Sequence, residues 1–210
     1  MSAPVATPPA AARPTLDVSV LPAGAFGSRS LMWWATMGIV LIEGTVFGLA
    51  VGAYFYLRTR LPSWPPGGVV PPDLLWGTVN TAVLLLSLIP NELTKRAGER
   101  VNLRAVRLWL VVCLLFAVGF NIVRVFEFAH LNVKWDHDAY GSIVWMLLGL
   151  HTTHIVTDFL DSLVLTVLMF TGPIEERRFI DVEENAVYWY FVVLAWLPIY
   201  GVVYWAPRLT

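Results

Sequence analysis

Charge is scarce in this chain. Only 14% of its 210 residues are Asp, Glu, Lys or Arg, against roughly a quarter in a soluble domain. That shortage excludes the solvated surface a water-soluble catalytic domain requires. The few charges nearly cancel, to a net of −1, so there is no basic stripe of the kind nucleic-acid binding needs. Cysteine occurs once, as Cys113. A lone thiol excludes an internal disulfide, a CxxC pair and a CxxCH haem attachment, and its apolar setting makes it a core packing residue. A continuous apolar run is missing from residues 1–28, which are rich in Ala and Pro. No cleavable signal peptide is visible there, and the segment reads as a mostly disordered tail ahead of a membrane domain over 29–210.

Hydrophobic residues, by contrast, make up 57% of the chain, with a mean hydropathy of +0.66. They gather into five stretches: Leu31–Leu57, Leu74–Leu93, Val106–Phe128, Gly141–Phe170 and Ala186–Trp205. Each is near the ~20 residues that span a bilayer as a helix. Lipid offers no partners to irregular backbone, and the alternation of a membrane β-barrel is absent from the sequence. The expected fold is therefore all-α, a polytopic bundle of five transmembrane helices. Ten Trp and seven Tyr suit aromatic belts at the two interfaces. Pro198 predicts a kink in the fifth helix, and Asp181, Glu183 and Glu184 predict an acidic first turn for it. Basic residues sort by side. Arg13, Arg29, Lys95, Arg96, Arg100, Arg104, Arg107, Arg177 and Arg178 share one end, while Arg58, Arg60, Lys134 and Arg208 share the other. The positive-inside rule then predicts a cytoplasmic N-terminus and an external C-terminus.

Ionisable groups inside spanning helices are costly and point to function. Glu43 lies about twelve residues into the first helix, near mid-membrane at ~1.5 Å per residue. It is either a carboxyl bonded to a neighbouring helix or a proton-active or regulatory group. Arg124 and Glu127, three apart, predict an intrahelical ion pair near a membrane edge, with side chains snorkelling outward. His151, His154, Asp158 and Asp161 fall on one face of the fourth helix and form the densest polar cluster. Such a face could ligate zinc or iron, but there is no ExxH motif, and a polar seam to neighbouring helices is the reading adopted; no metal is assigned. Four histidines in all, with His130 and His137 at or beyond a membrane edge, are too few for a haem–copper centre within this chain. Asn80, Thr81, Ser87 and Asn121 predict interhelical hydrogen bonds, and Gly38, Gly44, Gly48 and Gly52 a close-packing stripe.

Ordered motifs carry a resemblance. Glu43 is followed by Phe47, Tyr54, Phe55 and Arg58, then by Trp64-Pro65-Pro66. The run Asn80 to Ser87 comes next, then Glu127, Tyr140-Gly141-Ser142, and Gly149-Leu150-His151-Thr152-Thr153-His154. Glu184-Asn185, Tyr188 to Val192 and Trp196 complete the set. Together they resemble subunit III of the haem–copper respiratory oxidases in a five-helix form, over about Leu31 to Pro207. The resemblance implies a non-redox accessory subunit that packs on catalytic subunit I and other oxidase subunits. It also implies that the chain holds phospholipid and supports assembly, proton uptake and turnover stability. Haem and copper are then expected only in partner subunits, and the location is an energy-transducing membrane such as the bacterial plasma membrane. On this pattern Glu43 matches the family's intramembrane carboxylate, while Arg58, Trp64, His151 and His154 become lipid-binding candidates. Tyr190, Val193, Thr152 and Asp158 depart from it, standing where the family usually has His, Asp, Gly and a small residue. A subunit III-like chain of a quinol oxidase or nitric-oxide reductase, an intramembrane metalloenzyme, and a small proton or ion conductor using Glu43 and Asp158 are the alternatives.

Overall fold

Hydrophobic stretches of this length fold into helices wherever their backbone groups have no other partner, and the structure holds five. The computed structural model of the chain describes residues 31–174 and 176–209. The Ala- and Pro-rich tail expected at 1–28, with Arg13 and Arg29, lies outside the described residues. The helices are α1 (Leu31–Arg60), α2 (Leu74–Glu99), α3 (Leu103–Ala129), α4 (Ala139–Thr171) and α5 (Glu176–Tyr200). All five elements are long and apolar enough to cross a membrane, and no strand occurs among the described residues. Alternating crossings put the start of α1 and the last residues of the chain at opposite ends of the bundle.

The helices outrun the apolar stretches. α2 continues past Leu93 to Glu99, and α5 starts at Glu176, well ahead of Ala186. Hydropathy marks the part of a helix that lies in lipid; the charged turns beyond it still bond their own backbone. Asp181, Glu183 and Glu184 therefore sit within α5 and not in its first turn. α5 also runs through Pro198, and the change of winding falls after it, as a π-helical turn at Gly201–Trp205 followed by a 3-10 turn at Ala206–Arg208.

Short connections are built from specific caps. Between α2 and α3, Asn102 N–H bonds the Ala97 carbonyl at 3.0 Å and Val101 N–H bonds Gly98 at 2.9 Å. This is a Schellman pair, but the left-handed position is held by Val101, at φ 53°, where glycine is usual. Asn102 then begins α3 by accepting from Ala105 N–H at 3.2 Å. Asp138 caps α4 in the same way, accepting from Gly141 N–H at 2.6 Å. At the other end of α4, Arg107 donates to the Met169 carbonyl at 2.8 Å, a cation placed at a helix C-terminus.

Packing joins α2 to α3 and α5, and α4 to α3 and α5, while α1 lies against α4 and α5. Four helices close a ring and α1 is strapped to its outside, with only Phe47, Ala50 and Tyr54 buried. On α2 the buried face reads Gly77, Asn80, Leu84, Ser87, Pro90, Asn91, Thr94, Ala97 and Gly98, residues three and four apart along one side of the helix. This face is small and polar, and the large apolar residues Leu75, Leu86 and Ile89 point outward. A membrane bundle gains nothing from hiding leucine from lipid, so close approach and hydrogen bonds decide which face turns inward. Thr81 accepts from the Trp196 indole at 2.8 Å, Ser87 from the Trp189 indole at 2.9 Å, and Asn80 donates to Glu127 on α3, so three of the four expected interhelical bonders do bond across helices. Asn121 instead donates back to Ala117 in its own helix. The glycine stripe of α1 meets little: a Cβ on Gly44 would lie 3.6 Å from the Phe191 ring, and one on Gly38, Gly48 or Gly52 would have no neighbour within 4 Å.

Three outcomes follow. At Gly77 a Cβ would overlap the Tyr204 ring, so Gly77→Ala should lower stability by about 1–3 kcal/mol through overpacking, while Gly48→Ala should leave it unchanged. Val101→Gly should raise stability by about 1–2 kcal/mol by relieving the left-handed β-branched residue. Thermal unfolding of the detergent-solubilised protein measures all three.

Candidate functional site

A buried cation needs a partner, and Arg124, 2% exposed, has several. Its Nη1 donates to Glu127 Oε2 at 2.8 Å, and its Nη2 lies 3.0 Å from His151 Nδ1. The guanidinium is also held over the rings of Phe120 and Trp196, at 4.8 and 4.3 Å from their centroids. Arginine only donates, so His151 Nδ1 accepts. The other ring nitrogen, Nε2, then carries the hydrogen that bonds the Val192 carbonyl at 3.1 Å. The network thereby selects the neutral Nε2–H tautomer. Glu127 is 1% exposed and also accepts from Asn80 on α2 and from Tyr204 after α5. The expected ion pair forms, but neither side chain snorkels to an interface. The pair is enclosed by α2, α3, α4 and α5, because Asn80, Tyr204 and His151 supply partners that water would otherwise supply.

Glu43 stands in a second constellation, where α1 leans on α4 and α5. Its Oε2 accepts from Tyr188 at 2.8 Å, and its Oε1 is 3.5 Å from His154 Nε2. His154 Nδ1 lies 2.7 Å from the Leu150 carbonyl, which can only accept, so Nδ1 carries a hydrogen. A neutral His154 would then turn its Nε2 lone pair toward the Glu43 carboxylate.

The four residues placed on one face of α4 thus divide. His151 joins the Arg124 network, His154 joins Glu43, and Asp158 and Asp161 line a cavity of about 560 Å³ between α1, α4 and α5. Among the described residues no group of three His, Cys, Asp or Glu is arranged to hold a metal ion. Of the lipid-binding candidates, His151 has both ring nitrogens bonded within the protein. Trp64 is buried, donating its indole N–H to Tyr54 at 2.8 Å and packing edge-on against Tyr54 and Tyr140. Arg58 and His154 are partly exposed. Sequence reasoning did not assign Tyr188, Tyr204 and Trp196 their roles as partners of Glu43, Glu127 and Arg124. The available signal was arithmetic: each buried carboxylate calls for donors, and these residues supply hydroxyls or an aromatic face from α5 and the turn after it.

The sequence model of the family described as cytochrome c oxidase subunit III matches residues 31–207, which takes in every helix. A cytochrome c oxidase subunit 3 from Synechocystis sp. is 24% identical over 184 residues, covering 86% of this chain and 78% of the relative. The rat cytochrome c oxidase subunit 3 is 28% identical over 158 residues, or 72% of this chain and 60% of its own length. A protein of Aeropyrum pernix named heme-copper oxidase subunit I+III is 26% identical over 186 residues, 84% of this chain but 22% of that one. The chain thus spans less than two thirds of several relatives it matches.

Removing one member of the buried pair strands the other. Arg124→Leu or Glu127→Leu should each cost about 3–5 kcal/mol, and the double replacement clearly less than the sum. Unfolding of the single and double variants in lipid nanodiscs measures the coupling.

Proposed function

The chain belongs to the cytochrome c oxidase subunit III family, and from that premise we propose that it is a non-redox accessory subunit of a haem–copper terminal oxidase. It is an integral protein of respiratory membranes. In this reading it packs against catalytic subunit I, supports assembly and proton uptake, and prolongs turnover in aerobic electron transport, with haem and copper in the partner subunits. The observation that carries the reading is the family match across all five helices, from residue 31 to residue 207. The name of the Aeropyrum pernix relative, which joins subunits I and III, supports subunit I as the partner. The side bearing Lys95, Arg96, Arg100, Arg104 and Arg107 is the cytoplasmic one, in a bacterial plasma membrane.

Glu43 is the residue we assign to proton handling. Its contact with His154 Nε2 at 3.5 Å and the Tyr188 hydroxyl that orients it support this role, as does its matching of the family's intramembrane carboxylate. Phospholipid is proposed at the exposed apolar flank of α1 and the rim of the bundle. There Arg58 offers a guanidinium that forks onto phosphate oxygens, and the exposed side chains of Leu41, Ile42 and Leu49 face acyl chains.

An affinity-tagged chain should co-purify with a haem- and copper-containing partner, identified by its absorption spectrum and by the donor it oxidises. In that complex Glu43→Gln should leave the partner bound but slow oxygen consumption or shorten the enzyme's working life. Turnover and lifetime equal to wild type would remove Glu43 from the mechanism, and purification free of any haem partner would remove the oxidase role.

A further inference from the structure

A small pocket of about 20 Å³ lies inside the ring of α2, α3, α4 and α5, lined by Ser87, Asn91, Cys113, Asp158, Ser162 and Asn185. Most of these polar groups are already engaged. Ser87 donates to the Leu84 carbonyl at 2.6 Å and accepts from the Trp189 indole at 2.9 Å. Cys113 meets the Thr94 hydroxyl at 3.5 Å. Ser162 and Asn185 bond each other.

Two of the lining residues have acceptors to spare. Asp158 is 4% exposed, and among the described residues nothing bonds its Oδ1. A buried carboxyl oxygen without a partner is costly. Asn91 is 5% exposed and donates its Nδ2 to the Ala186 carbonyl at 3.0 Å. A carbonyl only accepts, so the orientation of this amide is fixed, and its Oδ1 is left as an acceptor. Asp158 stands on α4 and Asn91 on α2. Packing pairs each of these helices with α3 and α5, so α2 and α4 face each other across the diagonal of the ring. Two acceptors on opposite walls cannot bond each other. They need a donor between them that carries two hydrogens and fits a space of about 20 Å³, and water meets both conditions.

We propose that the pocket inside the ring is a binding site for one water molecule, which donates to the Asp158 carboxyl and to Asn91 Oδ1 and so ties α4 to α2 across the bundle. A bridging water is nearly as favourable as a direct hydrogen bond, and in lipid it is polar links and close packing that hold helices together. The water enters past Asp158 and Asn185, which line both this pocket and the larger cavity beside α1. The site is independent of the oxidase role. It is also independent of the charge on Asp158, because a carboxyl group keeps an accepting oxygen in either protonation state.

A density map of the protein as it purifies from the membrane, in lipid nanodiscs and at a resolution that shows ordered water, tests the site. One peak should lie in the pocket, about 2.5–3.0 Å from the Asp158 carboxyl and from Asn91 Oδ1. An empty pocket, a direct bond between Asp158 and another side chain that closes it, or a row of several waters would each overturn the proposal. The peak should remain when sodium is replaced by N-methylglucamine; its loss would make the ligand a metal ion and not water. Asp158→Asn should keep the peak, whereas Asp158→Leu and Asn91→Leu should each abolish it, so the outcome is readable even if one leucine variant fails to fold. A peak that persists in either leucine variant would remove that residue from the site. Oxygen-17 relaxation dispersion gives a count in solution: the wild type should hold one more long-lived water than Asp158→Leu, and equal counts would overturn the bridge.

Discussion

The bundle depends on one ion pair that water never reaches. Arg124 and Glu127 are adjacent on α3, so their meeting costs no loop closure, but moving both from water into the interior costs several kcal/mol per ion before any repayment. Repayment requires further partners for the two charged groups, and those they find lie on other helices: Asn80 on α2, His151 on α4, Trp196 on α5 and Tyr204 just beyond it. A four-helix ring is one arrangement that brings them all to one point. Lipid supplies no hydrophobic drive to hold helices together, so this hub, with the Trp189–Ser87 and Trp196–Thr81 bonds, fixes which faces turn inward and at what register.

α1 obeys a different constraint. It buries little and leaves most of its apolar surface for lipid or another chain, yet it carries Glu43 into contact with Tyr188 and His154. The carboxylate acts as a strap between the outer helix and the ring, accepting from Tyr188 and meeting His154. One polar network thus closes the core of the ring, and a second attaches the outer helix to it. His151 and His154 show how close the two networks come. They are one turn apart on α4 and serve different masters, because their side chains leave the helix toward different neighbours.

Much of this was legible in the residues. Apolar length alone marks five spans, because a bilayer core demands about 20 apolar residues and excludes unpaired backbone. The Arg124–Glu127 pair is local, three residues apart, and so is readable from spacing. Glu43 stands out because no other acidic or basic residue of its helix precedes Arg58. The helix ends were less legible: α5 extends back to Glu176 through charged residues, since hydropathy registers the membrane and not the hydrogen bonds of the backbone. The polar face of α4 looked like one cluster, because periodicity gives the angle of a residue around its own axis but not the identity of the helix opposite.

The sequence by itself determined the number of crossings, the sorting of basic residues to one end, and the family, all of which depend on composition or on the order of short motifs. Only the tertiary structure decided that the ion pair is a four-helix hub, that Trp64 and His151 face inward, and that Asp158 lines both the cavity beside α1 and a small pocket inside the ring. Those facts depend on which residues far apart in the chain meet across helices. In a membrane that choice is made by hydrogen-bond partners and by the close approach of small residues, and neither leaves a periodic trace in the sequence.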